Sequence, residues 1–412
     1  MNLKKMAWRN LWRRKRRTLI TAGSVGFGFL LAYTFTAMGD YIYTNMIDTS
    51  AKMGFGHVTV EPAGYNDSPA LDKRLGNARV IRERTLKIPN VRDAIVRITG
   101  QAMFASASKN IGGIFMAIDP SDESAEWNVF IGSMVEGKVF KGPGGRGIVV
   151  GKKMAEKLNL GIGKKVVYTT TDVTGELVSE MARVTGIFKT GVDEVDGSVA
   201  LLPIDSVRAV LGYSGGEATM VSIFINDQRR SEKVRDAVKA ATAGHSAEAL
   251  TWSETQPDMA GYVTIDKGFN YLFQLLVGLM IAAGILNTML MSVLERTREF
   301  GIMMAIGMSP GKLFRLVIIE SFYIGVIGLL IGIAVTIPAH YYLATVGIDL
   351  GTYIEQGADI SGVLLDPVLK IRFYWESAAV ILFVVFVLTL SAGLYPAYRA
   401  GRVPPVESLK TM

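Results

Sequence analysis

Three histidines, His57, His245 and His340, are the only imidazoles in the chain, and none stands at metal-ligand spacing from another. Cysteine is absent, which removes thiol nucleophiles, disulfide staples and thiolate-bound zinc. The nearest approaches to a phosphate-cradling loop are Gly147–Lys153 and Gly307–Leu313. Neither has the spacing of glycines, lysine and hydroxyl residue that wraps a triphosphate. No serine sits in a nucleophile elbow. The acidic run Asp193, Glu194 and Asp196 reads as a solvated turn. These residues give no catalytic site and no metal site, so the chemistry expected of the chain is binding or the transfer of force.

The elements that would do this are set by hydropathy. The chain has 412 residues, half of them hydrophobic, and a mean hydropathy of +0.30. A bilayer core of about 30 Å needs roughly 20 apolar residues in a helix. Four uncharged runs meet that length: Thr18–Gly39, Gly268–Leu294, Ser321–Ile348 and Ser377–Tyr398. They predict spans over 18–41, 267–294, 313–348 and 374–398. Lysine and arginine sort the connections. Lys4, Lys5, Arg9, Arg13, Arg14, Lys15, Arg16 and Arg17 crowd the first 17 residues with no acid among them. Arg296, Arg298, Lys312 and Arg315 follow span two. Arg399, Arg402 and Lys410 lie in the tail over 399–412. The loop over 349–373 is instead acidic, with Asp349, Glu355, Asp359 and Asp366. One topology satisfies all of them: a multi-pass membrane protein with both termini cytoplasmic and residues near 42–266 and 349–373 outside the cytoplasm. Residues 43–265 have as many acids as bases, so the net charge of +7 reports membrane orientation and not nucleic-acid binding. Met6, Trp8, Leu11 and Trp12 among the first bases predict an amphipathic cytoplasmic helix over 1–17, lying on membrane lipid.

The fold class expected is membrane α-helical, four transmembrane helices with a large mixed α/β extracytoplasmic domain. Strands are predicted at His57–Glu61, Gly147–Gly151, Val166–Thr170, Arg183–Phe188, Ser198–Leu202 and Val221–Asn226, and helices at Met154–Leu158 and Gln228–Thr242. The stretch near 101–146 breaks this rhythm and is expected to be an inserted subdomain. Away from their ends the spans contain one charged side chain, Glu320, placed to pair with a nearby arginine or to snorkel. They offer no polar path for a solute. They are rich in small residues instead: Gly23, Gly26 and Gly28 in span one, and Gly325, Gly328 and Gly332 in span three, which predict close helix packing or a subunit interface. Between spans two and three, a charged Glu295-Arg-Thr-Arg-Glu299 run leads into an apolar patch, Phe300–Ile306, exposed where solvent is expected. Such a patch marks a partner site.

The run Glu295–Ser309, with Glu320-Ser321, resembles the signature of the FtsX-like permeases of ABC transporters, the superfamily of MacB, LolC and LolE. The close of the chain, from Tyr395-Pro-Ala-Tyr-Arg through Pro404 to Ser408, resembles that family too. So do Trp8–Arg13 and the segments Gly56–Val60, Gly147–Gly163 and Val184–Phe188. The resemblance implies a non-catalytic subunit with no cofactor of its own. ATP and Mg would be held by a separate ATPase dimer of the LolD/MacB type, beside a second permease subunit, copy or homologue. It assigns ATPase coupling to 295–312, through Glu295, Arg296, Arg298, Glu299, Gly301, Met304, Ala305, Gly307, Met308 and Ser309. MacB-type chains carry a fused ATPase, which these residues do not contain, and FtsX cell-division chains have a smaller outer domain. The size is most similar to the lipoprotein-releasing LolC/LolE type. That type implies an acyl-chain cavity at Phe35, Met38, Ile42, Phe269, Leu272, Phe273 and Leu276, and a hook for a periplasmic carrier near Thr169–Ala182, here without a proline-rich tip. The alternatives are a MacB-like export subunit with a periplasmic adaptor and a regulator of cell-wall hydrolases.

Overall fold

A computed structural model describes residues 2–243, 246–349, 359–360, 363–364 and 368–402. His245, most of the 349–373 loop, and Pro404 and Lys410 of the tail lie outside them. The chain starts with α1 (Leu3–Arg13) and α2 (Lys15–Ser50), ending in a π-helical turn, Ala51–Phe55. Then follow β1 (Val58–Pro62), α3 (Ala78–Thr85), β2 (Val91–Ala105), β3 (Asn110–Ile118), α4 (Val129–Gly132), β4 (Met134–Gly137), β5 (Gly147–Gly151) and α5 (Lys152–Leu158). Next come β6 (Lys165–Thr171), β7 (Leu177–Phe188), α6 (Asp193–Ser198), β8 (Val199–Pro203), α7 (Ile204–Leu211), β9 (Met220–Ile225), α8 (Ser231–Ala241), β10 (Ala247–Thr251) and α9 (Trp252–Thr255). The chain returns through α10 (Pro257–Glu295), α11 (Thr297–Ala305), α12 (Pro310–Thr345) and α13 (Trp375–Gly401). Its described residues divide into a helical unit, within 1–42, 264–349 and 368–412, and an α/β unit, within 43–263 and 350–367.

Among the described residues four helices are long and apolar enough to cross a membrane: the one from Lys15, and α10, α12 and α13. The first two outrun their predicted spans at both ends, because polar residues continue the helix beyond the apolar window, whereas α12 starts before its predicted span and stops at Thr345, short of 348, and α13 runs on from 398 to Gly401. Within the helical unit, Ala7 and Leu11 of α1 join Val25, Phe29, Ile285, Phe300, Leu316 and Ala397 in one buried cluster. Trp8 stacks edge-on against Trp12 and Tyr323, at 5.7 and 5.4 Å between ring centroids. Polar groups in the spans find local partners. The Tyr33 hydroxyl lies 3.0 Å from His340 Nδ1, and the Ser377 hydroxyl donates to Asp40 at 2.8 Å.

The α/β unit is built on a ten-stranded sheet in the order β10-β1-β9-β2-β3-β8-β5-β7-β4, with β6 bridging β2 and β7. The pairings β2·β3, β3·β8, β8·β5, β5·β7, β7·β6 and β6·β2 close into a ring of six strands. β2 belongs to both parts, pairing with β9 over Val91–Arg97 and with β3 over Ile98–Ala105. The sheet is covered on both faces at β3, β5 and β8. Phe115, Ile148, Val150, Ala200 and Leu202 enter one core, and Met116, Val149 and Leu201 enter another with Phe130 and Phe188. A strand buried on both sides reads as a continuous apolar run, which is why Gly147–Gly151 stood out. Residues 101–146 are not an inserted subdomain. They supply the last third of β2, all of β3, and β4, in the middle and at one end of the same sheet. Their odd rhythm comes from the polar turn over 106–109 and the loop over 119–128.

Candidate functional site

The hairpin between α10 and α12 is assembled from short-range signals. Arg296 leaves helical geometry (φ −108°, ψ 13°) and separates α10 from α11. Gly307 ends α11 at φ +96°, a left-handed conformation that costs glycine nothing and a side chain about 1 kcal/mol or more. The Gly307 and Met308 amides then donate back to Met304 and Met303 carbonyls at 3.0 Å each, which satisfies the helix end. Ser309 is the N-cap residue of α12 and Pro310 occupies its first turn, where a missing amide hydrogen is no loss.

The predicted apolar patch Phe300–Ile306 is divided. Phe300 is fully buried among Leu313, Val317 and Ala397, and Gly301 is buried with it. Met303, Met304 and Met308 are half-buried against the same cluster. Glu295, Arg298, Glu299, Ile302, Ala305, Ile306, Gly307 and Ser309 are exposed. Their spacing of three and four places Arg298, Ile302 and Ala305 on one helix face. Phe300 is therefore an anchor and not a surface residue, and the presented face mixes charge with two isoleucines, Ile306 being 81% exposed.

Behind that face lies a network of acidic and basic side chains around a cavity of about 240 Å³. Arg14 and Arg17 both pair with Glu295, Arg17 at 2.8 Å, and Arg17 also donates to the Thr288 carbonyl. Arg13 reaches Glu299 at 3.4 Å. Arg296 donates from Nε to Glu299 at 3.3 Å, and from Nη1 to both carboxylate oxygens of Glu320 at 3.1 Å. Its guanidinium lies 4.9 Å from the Phe300 ring centroid. The Asn10 amide of α1 donates to Glu320 Oε1 at 2.7 Å. The exposed pairs, such as Arg13–Glu299, contribute about 0–1 kcal/mol each. Arg296–Glu320 is different, with side chains only 11% and 5% exposed. Removing one partner there strands a buried charge, at a cost of about 3–5 kcal/mol. Glu320 thus pairs with an arginine and does not snorkel. Neither Asn10 nor Arg17 was singled out in the sequence, where Arg17 read as part of a topology signal and Asn10 only as part of the Trp8–Arg13 resemblance.

The other predicted positions separate into groups. A Cβ on Gly26 would lie 2.8 Å from the Gly328 carbonyl oxygen and 2.9 Å from the Gly332 nitrogen, so α2 and α12 touch backbone to backbone. Gly325 faces Thr389 and Phe386 of α13, whereas Gly23 meets nothing in its own chain. Phe35 and Phe273 pack with rings tilted at 51° and centroids 4.3 Å apart, and Gln274 beside them donates to Thr36 at 2.8 Å. Met38 and Ile42 are half-buried on α2. Phe269, Leu272 and Leu276 follow a helical spacing along α10 and stay more than half exposed, an open apolar strip within the single chain.

In the α/β unit, Arg97 and Glu123 form a bidentate pair, at 2.6 and 2.9 Å, with both side chains at 0% exposure. Arg97 also donates to the carbonyls of Gly54 and Trp127 at 2.8 and 3.1 Å. A cavity of about 1080 Å³ in this unit is lined by Met53, Phe55, Leu71, Ile114, Met116 and the buried Glu61, among others. His57 lies 2.9 Å from Asp48. Among the described residues no three His, Asp or Glu side chains gather as metal ligands.

Comparison with known proteins agrees with this arrangement. The family model of the MacB-like periplasmic core domain matches residues 18–241, and that of the FtsX-like permease C-terminal region matches 271–405. An uncharacterized ABC transporter permease of Methanocaldococcus jannaschii is 23% identical over 98% of this chain and 96% of its own. The lipoprotein-releasing system transmembrane protein LolC of Xylella fastidiosa is 23% identical over 65% of each chain. The macrolide export ATP-binding/permease protein MacB of Nitrobacter winogradskyi is 24% identical over 95% of this chain and 58% of its own. With four apolar helices, a charged hairpin between the second and third, and a mixed α/β unit between the first and second, the chain belongs to the FtsX-like permeases with a MacB-like periplasmic core domain, the non-catalytic multi-pass membrane subunits of ABC transporters.

Proposed function

We propose that this permease converts the ATP-driven closure of a separate ATPase pair into movement of its α/β unit, and that the work done is the release of lipoproteins from the inner membrane. The observation that carries the coupling part is the hairpin. One face of α11 is exposed, while its other face is pinned by Phe300 and the three methionines. A helix that presents contacts outward and is anchored inward passes a push to its neighbours. ATP and Mg would sit on the partner, beside a second permease subunit, with the hairpin in the cytoplasm and the α/β unit in the periplasm. The apolar strip Phe269–Leu276 on α10 and the tilted Phe35–Phe273 pair would receive acyl chains. The β6–β7 hairpin would meet a periplasmic carrier, although its tip has no proline-rich loop.

A second reading, export with a periplasmic adaptor, is favoured by the alignment to MacB over 95% of this chain. Reconstitution with the cognate ATPase decides between them. If the first reading holds, lipoprotein copurifies, alters the ATPase rate and leaves the membrane when ATP is added. Lipoprotein that neither binds nor changes turnover rejects release, and an adaptor recovered in its place supports export.

A further inference from the structure

The guanidinium of Arg296 stands between two carboxylates of opposite situation. Glu299 is on the exposed face of α11, 46% accessible, and Glu320 is buried in α12. Glu320 is in turn held by Asn10 of α1. Surface acid, guanidinium, buried acid and amide therefore form one line from the hairpin into α12 and α1. The joint that carries the guanidinium is the only non-helical residue between α10 and α11. Two and three turns further along α12, Gly328 and Gly332 touch the backbone of Gly26 on α2. Shape alone does not call for a buried ion pair here, because an apolar pair of similar volume would hold these helices at least as well. An ion pair adds direction and a fixed distance, and links the pair to any charge brought against Glu299.

We propose that Glu320 is a positioning residue, the clasp through which the hairpin grips α12 and α1, so that displacement of α11 carries these helices, and α2 behind the glycine contact, as one body. The inference rests on the coupling reading above. A cation of the ATPase drawn to Glu299 competes with Arg296 for that acid and leaves the guanidinium wholly to Glu320. The clasp then tightens on docking. Packing by Phe300 holds the hairpin in place, and the clasp makes its movement productive.

The test uses the full chain with its ATPase in lipid nanodiscs. Because the chain has no native thiol, spin labels at Lys5→Cys on α1 and Lys312→Cys on α12 report whether the two helices stay together when nucleotide is trapped. In the wild type the label distance holds, while ATP turnover drives release of a fluorescent triacylated lipopeptide. Glu320→Gln keeps the side-chain shape and removes the charge. It is expected to assemble with the ATPase and hydrolyse ATP, while the label distance shifts on trapping and release per ATP falls about tenfold. Glu320→Asp restores part of the release, and Asn10→Ala frees α1 alone, without burying a new charge. Glu320→Gln and Asn10→Ala variants that both keep the wild-type distance and release overturn the clasp and leave the coupling reading intact. A wild type whose ATPase neither binds nor responds to the permease overturns the coupling reading and the clasp with it. If Glu320→Gln does not assemble, Asn10→Ala decides alone, and an unchanged α1 distance in that variant rejects the proposal.

Discussion

Glu61 shows what burial does to a single side chain. It sits on β1 opposite Glu248, accepts one hydrogen bond from the Asn66 amide at 2.8 Å, and is 2% exposed. Burial, reinforced by the Glu248 and Asp67 charges against the Asn66 hydrogen bond, pushes its carboxyl up to about 7. Between about 4.5 and about 7 the unfolded chain has released this proton while the folded chain retains it. Stability therefore falls as pH rises through that window and levels off above it. Glu61→Gln is expected to melt above the wild type at pH 8, by on the order of 2 kcal/mol, with the difference vanishing near pH 4.5. A constant offset across that range would reject the account. Arg97 is a second case. Arg97→Met leaves Glu123 buried without a counter-charge and should cost about 3–5 kcal/mol, read by thermal unfolding, and Arg97→Met with Glu123→Leu should recover much of it. Glu320 was legible in the sequence as a lone acid in an apolar run. Arg97 was not, because its partners are the distant Glu123 and the Gly54 and Trp127 carbonyls, and an isolated arginine in a sequence reads as surface.

At the scale of elements, the spans were legible because length without charge is a local property. β2 was missed, although it is the longest strand. Arg92, Asp93, Arg97 and Gly100 interrupt its apolar residues, and its burial depends on neighbours supplied by β9, β3 and β6. The inner half of the hairpin was misread for a similar reason: nothing near Phe300 in sequence announces that α12 and α13 close over it. Two element-level outcomes follow from the glycines. Gly26→Leu must force α2 from α12, since the atoms it meets are backbone, and should destabilise the helical unit by about 1–3 kcal/mol. Gly23→Leu, one turn away and facing open space, should melt like the wild type in the same detergent. Gly307→Trp strains the turn that ends α11, and Glu299→Lys reverses a charge on its exposed face. Both variants are expected to reach the membrane at normal levels and to lose ATP-dependent function. Normal function in both would remove the hairpin from the coupling role.

For the whole molecule, the charge pattern predicts cytoplasmic connections and a periplasmic α/β unit, and a chain without thiols makes this simple to check. A single cysteine at exposed Ser108 should react with an impermeant maleimide added outside spheroplasts. One at Lys5 should react only after permeabilisation. The reverse pattern would invert the topology and with it the assignment of the hairpin to a cytoplasmic ATPase.

The strand shared by the two parts of the sheet has a mechanical consequence. β2 is fifteen residues long and exchanges hydrogen bonds with three neighbours along its length. Bonds in antiparallel ladders run across the strand axis. A pull parallel to β2 strains many of them at once in shear, while a pull at right angles peels them one after another. The α/β unit is therefore stiff to tension along that strand and compliant across it, like timber along and across its grain.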